Sequence, residues 1–374
     1  MNNINFDQVA YLKDLEYIVN IDSGSRSPGG IARVAEFFQE KYTAMGWQTR
    51  LIDVNEGAGP CLEVRNTTQE QFDVLLIGHM DTVFGEGIAT SRPFAVKEGR
   101  AYGPGIYDMK AGLLLGYYAL KSLSHSSAPQ PAVCVAMNSD EEIGSRYSRE
   151  WFKALARKSR QVFVLEPGGP DGALINERKG IAAYNITFSG IAAHAGENPD
   201  KGCSAIAELG HWIVALHQLE DPAAQTTVNV GVVSGGTVSN VIAAQALADV
   251  DVRIRSEAEM QRIDAAIAQL EASPVTPGVT VSVFKRGMRP PMNQSAVTGE
   301  LCRKIESIGA DLGIPIHWRL SGGGSDANHT AALGIPSIDG LGAVGAGAHS
   351  LDEYIELNCL EARFKLLRAI IAQC

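Results

Sequence analysis

Three short apolar runs, Val74 to Ile77, Ala132 to Met137 and Val162 to Leu165, are each followed within a few residues by histidine or carboxylate side chains. Runs this short and this rich in Val, Ile and Leu read as strands buried on both faces rather than as helices. Helical patterns separate them. Phe6 to Ile21 and Ile31 to Met45 carry apolar residues at helical spacing, Gly46 supplies a stop for the second, and a further helix is expected from about Met109 to Leu123. Strands alternating with helices predict a largely parallel sheet covered on both faces. In such a sheet, sites form beyond the carboxyl ends of the strands. That edge would carry His79-Met80-Asp81, Asp140-Glu141-Glu142 and Glu166.

From about Gly180 the pattern changes. A strand at Ile181 to Ser189, a helix at Ala205 to Leu219, strands at Thr226 to Val233 and Ala246 to Ile254, a helix at Ala258 to Leu270 and a strand at Val279 to Phe284 follow in turn. That order, βαββαβ, suits a small ferredoxin-like domain. The α/β pattern resumes near Gln294 and closes with a helix through Leu360 to Ile371. His349 lies in this last part, so the candidate residues bracket the small domain. The expected organisation is α/β: a larger domain of residues 1–178 and 288–374, interrupted by an inserted domain of residues 179–287.

Bulk properties narrow the function classes. A chain of 374 residues exceeds one comfortable domain. With 32 Lys plus Arg against 42 Asp plus Glu, the net charge of −10 argues against nucleic acid or an anionic membrane as the main partner. The cysteines at 61, 134, 203, 302, 359 and 374 form no Cys-x-x-Cys, so reduced, mostly buried thiols are expected. The N-terminal stretch MNNINFDQVAYLKDLEYIV lacks a basic region followed by a long apolar run, which predicts neither a signal peptide nor a membrane span and a cytoplasmic location.

The remaining clues are chemical. Two histidines and several carboxylates suggest a site for two divalent metals, with one carboxylate to spare. His79 reads as a ligand whose other ring nitrogen is held by Asp81. Asp108, after Gly103-Pro104-Gly105 and just before a helix, is either an N-cap or a carboxylate bridging two ions. Lys110 is expected at the surface or in an ion pair. Three successive acids at 140–142 are costly to hold together without cations. Neighbouring side chains diverge, so Glu142 is assigned to metal and Glu141 to general acid–base work. Glu166, before Pro167-Gly168-Gly169, is a turn residue or a ligand, and His349 sits in the glycine-rich run from Gly345 to Ala348. In the small domain, His194 is a turn histidine or an oxyanion stabiliser. Arg253, placed beside Asp249 and Asp251 by strand alternation, is half of a cross-strand ion pair or a fork for a substrate carboxylate. Ser321-Gly322-Gly323-Gly324-Ser325-Asp326 is a flexible turn or a nest of N–H groups for that carboxylate. It is not a phosphate loop, since no Gly-Lys-Ser/Thr follows it.

Together these stretches, in this order along nearly the whole chain, resemble the dinuclear zinc amidohydrolase and exopeptidase family. That family includes glutamate carboxypeptidases, acetylornithine deacetylases, succinyl-diaminopimelate desuccinylases, aminoacylases and tripeptidase-like aminopeptidases. Gly78-His79-Met80-Asp81-Thr82-Val83, Leu165-Glu166-Pro167-Gly168, Ser239-Asn240-Val241-Ile242 and Arg286-Gly287-Met288-Arg289-Pro290 look most like the glutamate carboxypeptidase branch; Arg178-Lys179-Gly180 departs from it. The resemblance implies one zinc on His79 and Glu166, a second on Glu142 and His349, and Asp108 bridging them. Asp81 would orient His79, and Glu141 would be the base. The inserted domain would dimerise and act as a lid, sending His194 into a partner's site. Asn240, Arg253 and the Gly322, Gly323, Gly324 loop would face the substrate's carboxylate. The implied reaction is hydrolysis of an amide bond beside a free carboxylate in a small peptide or N-acyl amino acid, by a homodimer with two Zn²⁺ per subunit, Co²⁺ or Mn²⁺ being able to substitute. The rivals are an N-acyl amino acid deacylase and, outside catalysis, a metal-stabilised binding protein or a structural dimer scaffold, the last requiring no metal.

Overall fold

The computed structural model describes residues 6–55, 57–126 and 128–373. Residues 1–5, which open the N-terminal stretch, and Cys374 lie outside the described residues. Two compact units emerge. One comprises Met1–Glu177, Met292–Ser321 and Ser325–Cys374; the other comprises Arg178–Pro291 with Gly322–Gly324.

In the first unit a six-stranded sheet runs in the spatial order Gln48–Ile52, Cys61–Arg65, Val133–Asn138, Phe72–His79, Ser159–Val164, Ser337–Ile338. The last four strands are mutually parallel, and the first two are antiparallel at the other edge. Continuous apolar runs form the central strands because both faces of the sheet are covered there. Val74 and Leu76, Val135 and Met137, and Phe163 and Leu165 enter one core; Leu75 and Ile77, Cys134 and Ala136, and Val162 and Val164 enter the other. The helix Ala111–Ser124 packs on the first of these cores and is buried almost all round. Gly112 allows its close approach, since a Cβ there would lie 2.1 Å from the carbonyl oxygen of Leu165. Gln48–Ile52 and Cys61–Arg65 escape the sequence pattern because polar residues interrupt them, and the first is an exposed edge.

The second unit contains a four-stranded antiparallel sheet in the order Thr227–Gly235, Gln245–Ile254, Gly180–Ser189, Thr280–Arg289. The helices Ala205–His217 and Glu257–Ala272 supply Leu209, Trp212, Leu216, Met260, Ile263 and Ile267 to its core. Strand alternation is plain in Gly180–Ser189, where every second residue is buried. The last strand runs on to Arg289, five residues beyond Phe284, because a register shift between Lys285 and Gly287 interrupts the alternation. Among the described residues no helix is long and apolar enough to cross a membrane. Cys61, Cys134, Cys203, Cys302 and Cys359 are all free.

Candidate metal centre

Three neighbouring parallel strands deliver most of the candidate residues. Val133–Asn138, Phe72–His79 and Ser159–Val164 lie side by side, with Phe72–His79 in the middle. Adjacent strands sit about 4.8 Å apart, so residues at their carboxyl ends come within reach of a common ion. His79 ends the middle strand. Glu141 and Glu142 lie in the short turn Glu141–Ile143 beyond one neighbour, and Glu166 lies two residues beyond the other.

Two longer segments complete the cluster. Asp108 lies in the turn Ile106–Lys110, where it and Met109 have non-helical backbone angles. It does not cap the helix Ala111–Ser124, because its side chain reaches instead between two histidines. Oδ1 is 3.0 Å from His79 Nε2, and Oδ2 is 3.2 Å from His349 Nε2. His349 Nε2 is also 3.2 Å from Glu142 Oε2, and His79 Nε2 is 3.6 Å from Glu166 Oε1. Two groups therefore offer ligand atoms all within 4.8 Å of one another: His79, Asp108 and Glu142, and His79, Glu141 and Glu166. All seven first-unit candidates, Asp81 included, converge here.

The charges show why such a cluster suits cations. Burial pushes the Glu166 carboxyl well above its usual range, and Asp108 beside it adds to the effect. Burial raises Glu142 likewise. Burial alone would raise Asp108, but the imidazoles of His349 and His79 hold it below the usual carboxylate range. Burial opposes a charged His79, yet Asp108, Asp81 and Glu166 reverse that and hold it well above its ordinary value. Hydrogen bonds to Asp108 and Glu142 push His349 up to about 10. The acids thus draw both imidazoles towards their charged form, and divalent ions would answer the same demand for positive charge. Glu142 Oε1 is buried with no hydrogen-bond partner among the described residues, as a ligand oxygen awaiting an ion would be.

Asp81 meets the ring of His79 through its backbone as well as its carboxylate. His79 Nδ1 lies 2.9 Å from the backbone carbonyl oxygen of Asp81 and 3.5 Å from its carboxylate. The strand has ended at His79, and the chain turns so that the carbonyl faces the ring. An Nδ1–H donated to that oxygen leaves Nε2 free to ligate. The Asp81 carboxylate also accepts from Ser25 Oγ at 2.7 Å and from the backbone N–H groups of Glu141 at 3.1 Å and Glu142 at 3.2 Å. It therefore fixes the acidic turn as well.

Lys110 is a correction. It is neither at the surface nor in an ion pair in contact: it is buried, and its Nζ donates to the carbonyl oxygen of Ile21 at 2.8 Å, just beyond the helix Gln8–Val19. Burial pushes its ammonium down to about 7.

Two supports give little sequence signal. Asp326, following the Gly322–Gly324 loop in sequence, accepts from Asn138 Nδ2 and Ser145 Oγ, pinning both ends of the acidic turn. Glu353 grips the Asp108 turn from within the unit. Beside Glu142 a cavity of about 660 Å³ is walled by Ser25, Arg26, Thr82, Phe84 and Ile143, among others.

The other candidates lie in the second unit. His194 is exposed, and its Nδ1 accepts from the N–H groups of Gly196 at 3.2 Å and Glu197 at 3.1 Å, which places its proton on Nε2. Asn240 is exposed and its carbonyl accepts from Ala195 N–H at 2.9 Å. Arg253 holds Asp251, two residues away on its own strand, through Nε at 2.7 Å and Nη2 at 2.9 Å; Asp249 is engaged by Asn185. Its remaining nitrogen donates to Gly322 O at 3.2 Å, and Arg178 donates to Gly323 O at 2.9 Å. The loop thus offers at least two carbonyls to guanidinium groups. Gly324 packs against Ile181 and Arg289, where a Cβ would come within 2.5 Å and 3.0 Å of them.

Comparisons with known proteins agree with this chemistry. Residues 75–373 match the family described as Peptidase family M20/M25/M40. The chain is 31% identical to carboxypeptidase G2 of Pseudomonas sp. (strain RS-16), over 98% of this chain and 89% of that protein. It is 28% identical to succinyl-diaminopimelate desuccinylase of Ruegeria pomeroyi, over 78% of this chain and 80% of that one. Its fold is similar to the crystal structure of the M20 family metallo-carboxypeptidase Sso-CP2 from Sulfolobus solfataricus, with a TM-score of 0.79, 16% identity and coverage of 97% and 98% of the two chains.

Proposed function

The chain belongs to peptidase family M20/M25/M40 and is a metal-dependent hydrolase, and from that premise we propose that it cleaves an amide bond beside a free carboxylate, releasing a carboxyl-terminal amino acid, glutamate among the candidates, from a small peptide or N-acyl amino acid. The observation that carries this reading is the Asp108 carboxylate set between two imidazoles, 3.0 Å from His79 Nε2 and 3.2 Å from His349 Nε2, with Glu141, Glu142 and Glu166 close by. His79 and Glu166 would hold one zinc, Glu142 and His349 the other, and Asp108 would face both; Co²⁺ or Mn²⁺ would suit the same nitrogen and oxygen donors. Bound there, such ions would lower the pKa of a nearby water and polarise the scissile carbonyl.

The protein's own groups do the rest. Glu141 takes a proton from the attacking water and returns it to the leaving amine. Asp81 keeps Glu141 and Glu142 apart in their roles by holding both backbone N–H groups. The cavity beside Glu142 gives room for the part of the substrate preceding the cleaved bond. His194, exposed with its proton on Nε2, is suited to stabilise the developing oxyanion of a partner copy. Asn240, Arg253 and Gly322–Gly324 are the proposed carboxylate contacts, which requires Arg253 to share or leave Asp251.

A homodimer is supported by the edge strand Thr227–Gly235, where Val232 and Val233 are 60% and 50% exposed. Unpaired strand edges with exposed apolar residues invite a second copy. The deacylase alternative draws on the desuccinylase likeness. Zinc-loaded protein assayed on N-acyl-glutamates, dipeptides, N-acetylornithine and N-succinyl-diaminopimelate, with products identified, tests the choice. Release of glutamate or another carboxyl-terminal amino acid is expected; turnover confined to the last two compounds would establish the deacylase instead.

A further inference from the structure

Glu353 is a fully buried carboxylate with no part in the chemistry above. Its Oε2 accepts from Gly105 N–H at 2.9 Å, and its Oε1 accepts from Tyr107 N–H at 2.8 Å and Asp108 N–H at 2.9 Å. All three donors belong to the turn that presents Asp108. Glu353 itself is four residues beyond His349 and immediately precedes the strand Tyr354–Glu356, which pairs with Arg100–Tyr102. One carboxylate thus ties the segment carrying His349 to the segment carrying Asp108.

That tie bears unequally on the two ion positions. His79 sits on a central strand, and Glu166 lies two residues beyond another, next to Leu165, whose N–H donates to Ile77 O, so both are anchored by the sheet. His349 has a side chain 54% exposed and a backbone φ of 64°. Among the described residues its imidazole has only Asp108 and Glu142 as polar partners. Of the three ligands at the Asp108, Glu142, His349 position, two therefore depend on Glu353; at the His79, Glu166, Asp108 position, one does. Burying a carboxylate is costly unless it is well hydrogen-bonded, and here all three bonds go to one turn.

We propose that Glu353 is a positioning residue for the second ion, presetting the Asp108 carboxylate and the His349 imidazole so that affinity at the Asp108, Glu142, His349 position depends on it more than affinity at the other. The inference rests on the two-metal reading. Outer groups that orient metal ligands change affinity by about 10–100-fold when altered.

The test is calorimetric titration of Zn²⁺ into chelator-stripped wild-type protein and its Glu353→Gln, Glu353→Asp and His349→Ala variants, with thermal melting alongside. The expected result is two uptake steps in the wild type. In Glu353→Gln the tighter step should stay within a few-fold, while the weaker falls about 10–100-fold towards the His349→Ala behaviour. Glu353→Asp, which keeps the charge but withdraws it by one methylene, should fall in between. Two unchanged steps in a folded variant, or equal weakening of both, would overturn the proposal. Failure of both Glu353 variants to fold would assign the residue to the fold and overturn it too. Wild-type protein that takes up no zinc would instead sink the two-metal reading, before any variant is made.

Discussion

At the scale of single residues, the same substitution has opposite consequences at two helical glycines. Gly112→Ala gains helix propensity, worth up to about 1 kcal/mol, but its Cβ would meet the Leu165 carbonyl oxygen at 2.1 Å. Backbone cannot yield cheaply there, and Leu165 directly precedes Glu166. A net loss of about 1–3 kcal/mol is expected, with weaker zinc uptake. Gly210, in the helix Ala205–His217, has nothing within 4 Å of its would-be Cβ; Gly210→Ala should stabilise by about 0.5–1 kcal/mol. Denaturant midpoints of the two variants decide the matter, and equal signs would refute the packing argument. Residues also mark where sequence reading stops. His79, Glu142 and Glu166 were legible because each follows an apolar strand. Glu353 was not, because a carboxylate that spends itself on backbone N–H groups looks like any surface acid. Lys110 misled for a similar reason, since nothing in the sequence marks the carbonyl of Ile21 as its partner.

At the scale of elements, Glu208 links helix to loop in the second unit. It lies in the first turn of Ala205–His217, is buried, and accepts from Trp212 Nε1 at 3.1 Å, Val275 N–H at 3.1 Å and Thr276 N–H at 2.6 Å. Burial alone would raise its carboxyl, but these bonds, led by Thr276, bring it below the usual value. A depressed folded value contributes stability above the unfolded value, near 4.3, and loses it as pH falls through the folded one. Melting of wild type and Glu208→Gln should therefore differ most at pH 6–7 and converge towards pH 3; a constant gap would refute the linkage. The parallel strands and the βαββαβ order were legible from periodicity. The end of Thr280–Arg289 was hidden by its bulge, and Gln48–Ile52 by its exposure, since both lack the clean alternation that marks a half-buried strand.

At the scale of the whole molecule, the exposed edge of Thr227–Gly235 leads to a prediction about assembly. Val232→Lys with Val233→Lys should leave the protein folded yet shift its mass by light scattering from two copies to one, because charge on an edge strand blocks pairing. If His194 serves the partner's site, that monomer should take up zinc as the wild type does but lose most of its turnover. A dimeric double variant would move the interface elsewhere.

In the proposed metal-dependent amide hydrolysis Glu141, an acid outside the proposed ligand set, moves the proton. The most direct measurement is kcat of zinc-loaded Glu141→Gln beside the wild type, with bound zinc counted in both. General acid–base groups contribute about 10²–10⁴-fold, so a loss of that size with zinc content unchanged is the expected result. Turnover near wild type with both ions bound would exclude Glu141 as the group that moves the proton.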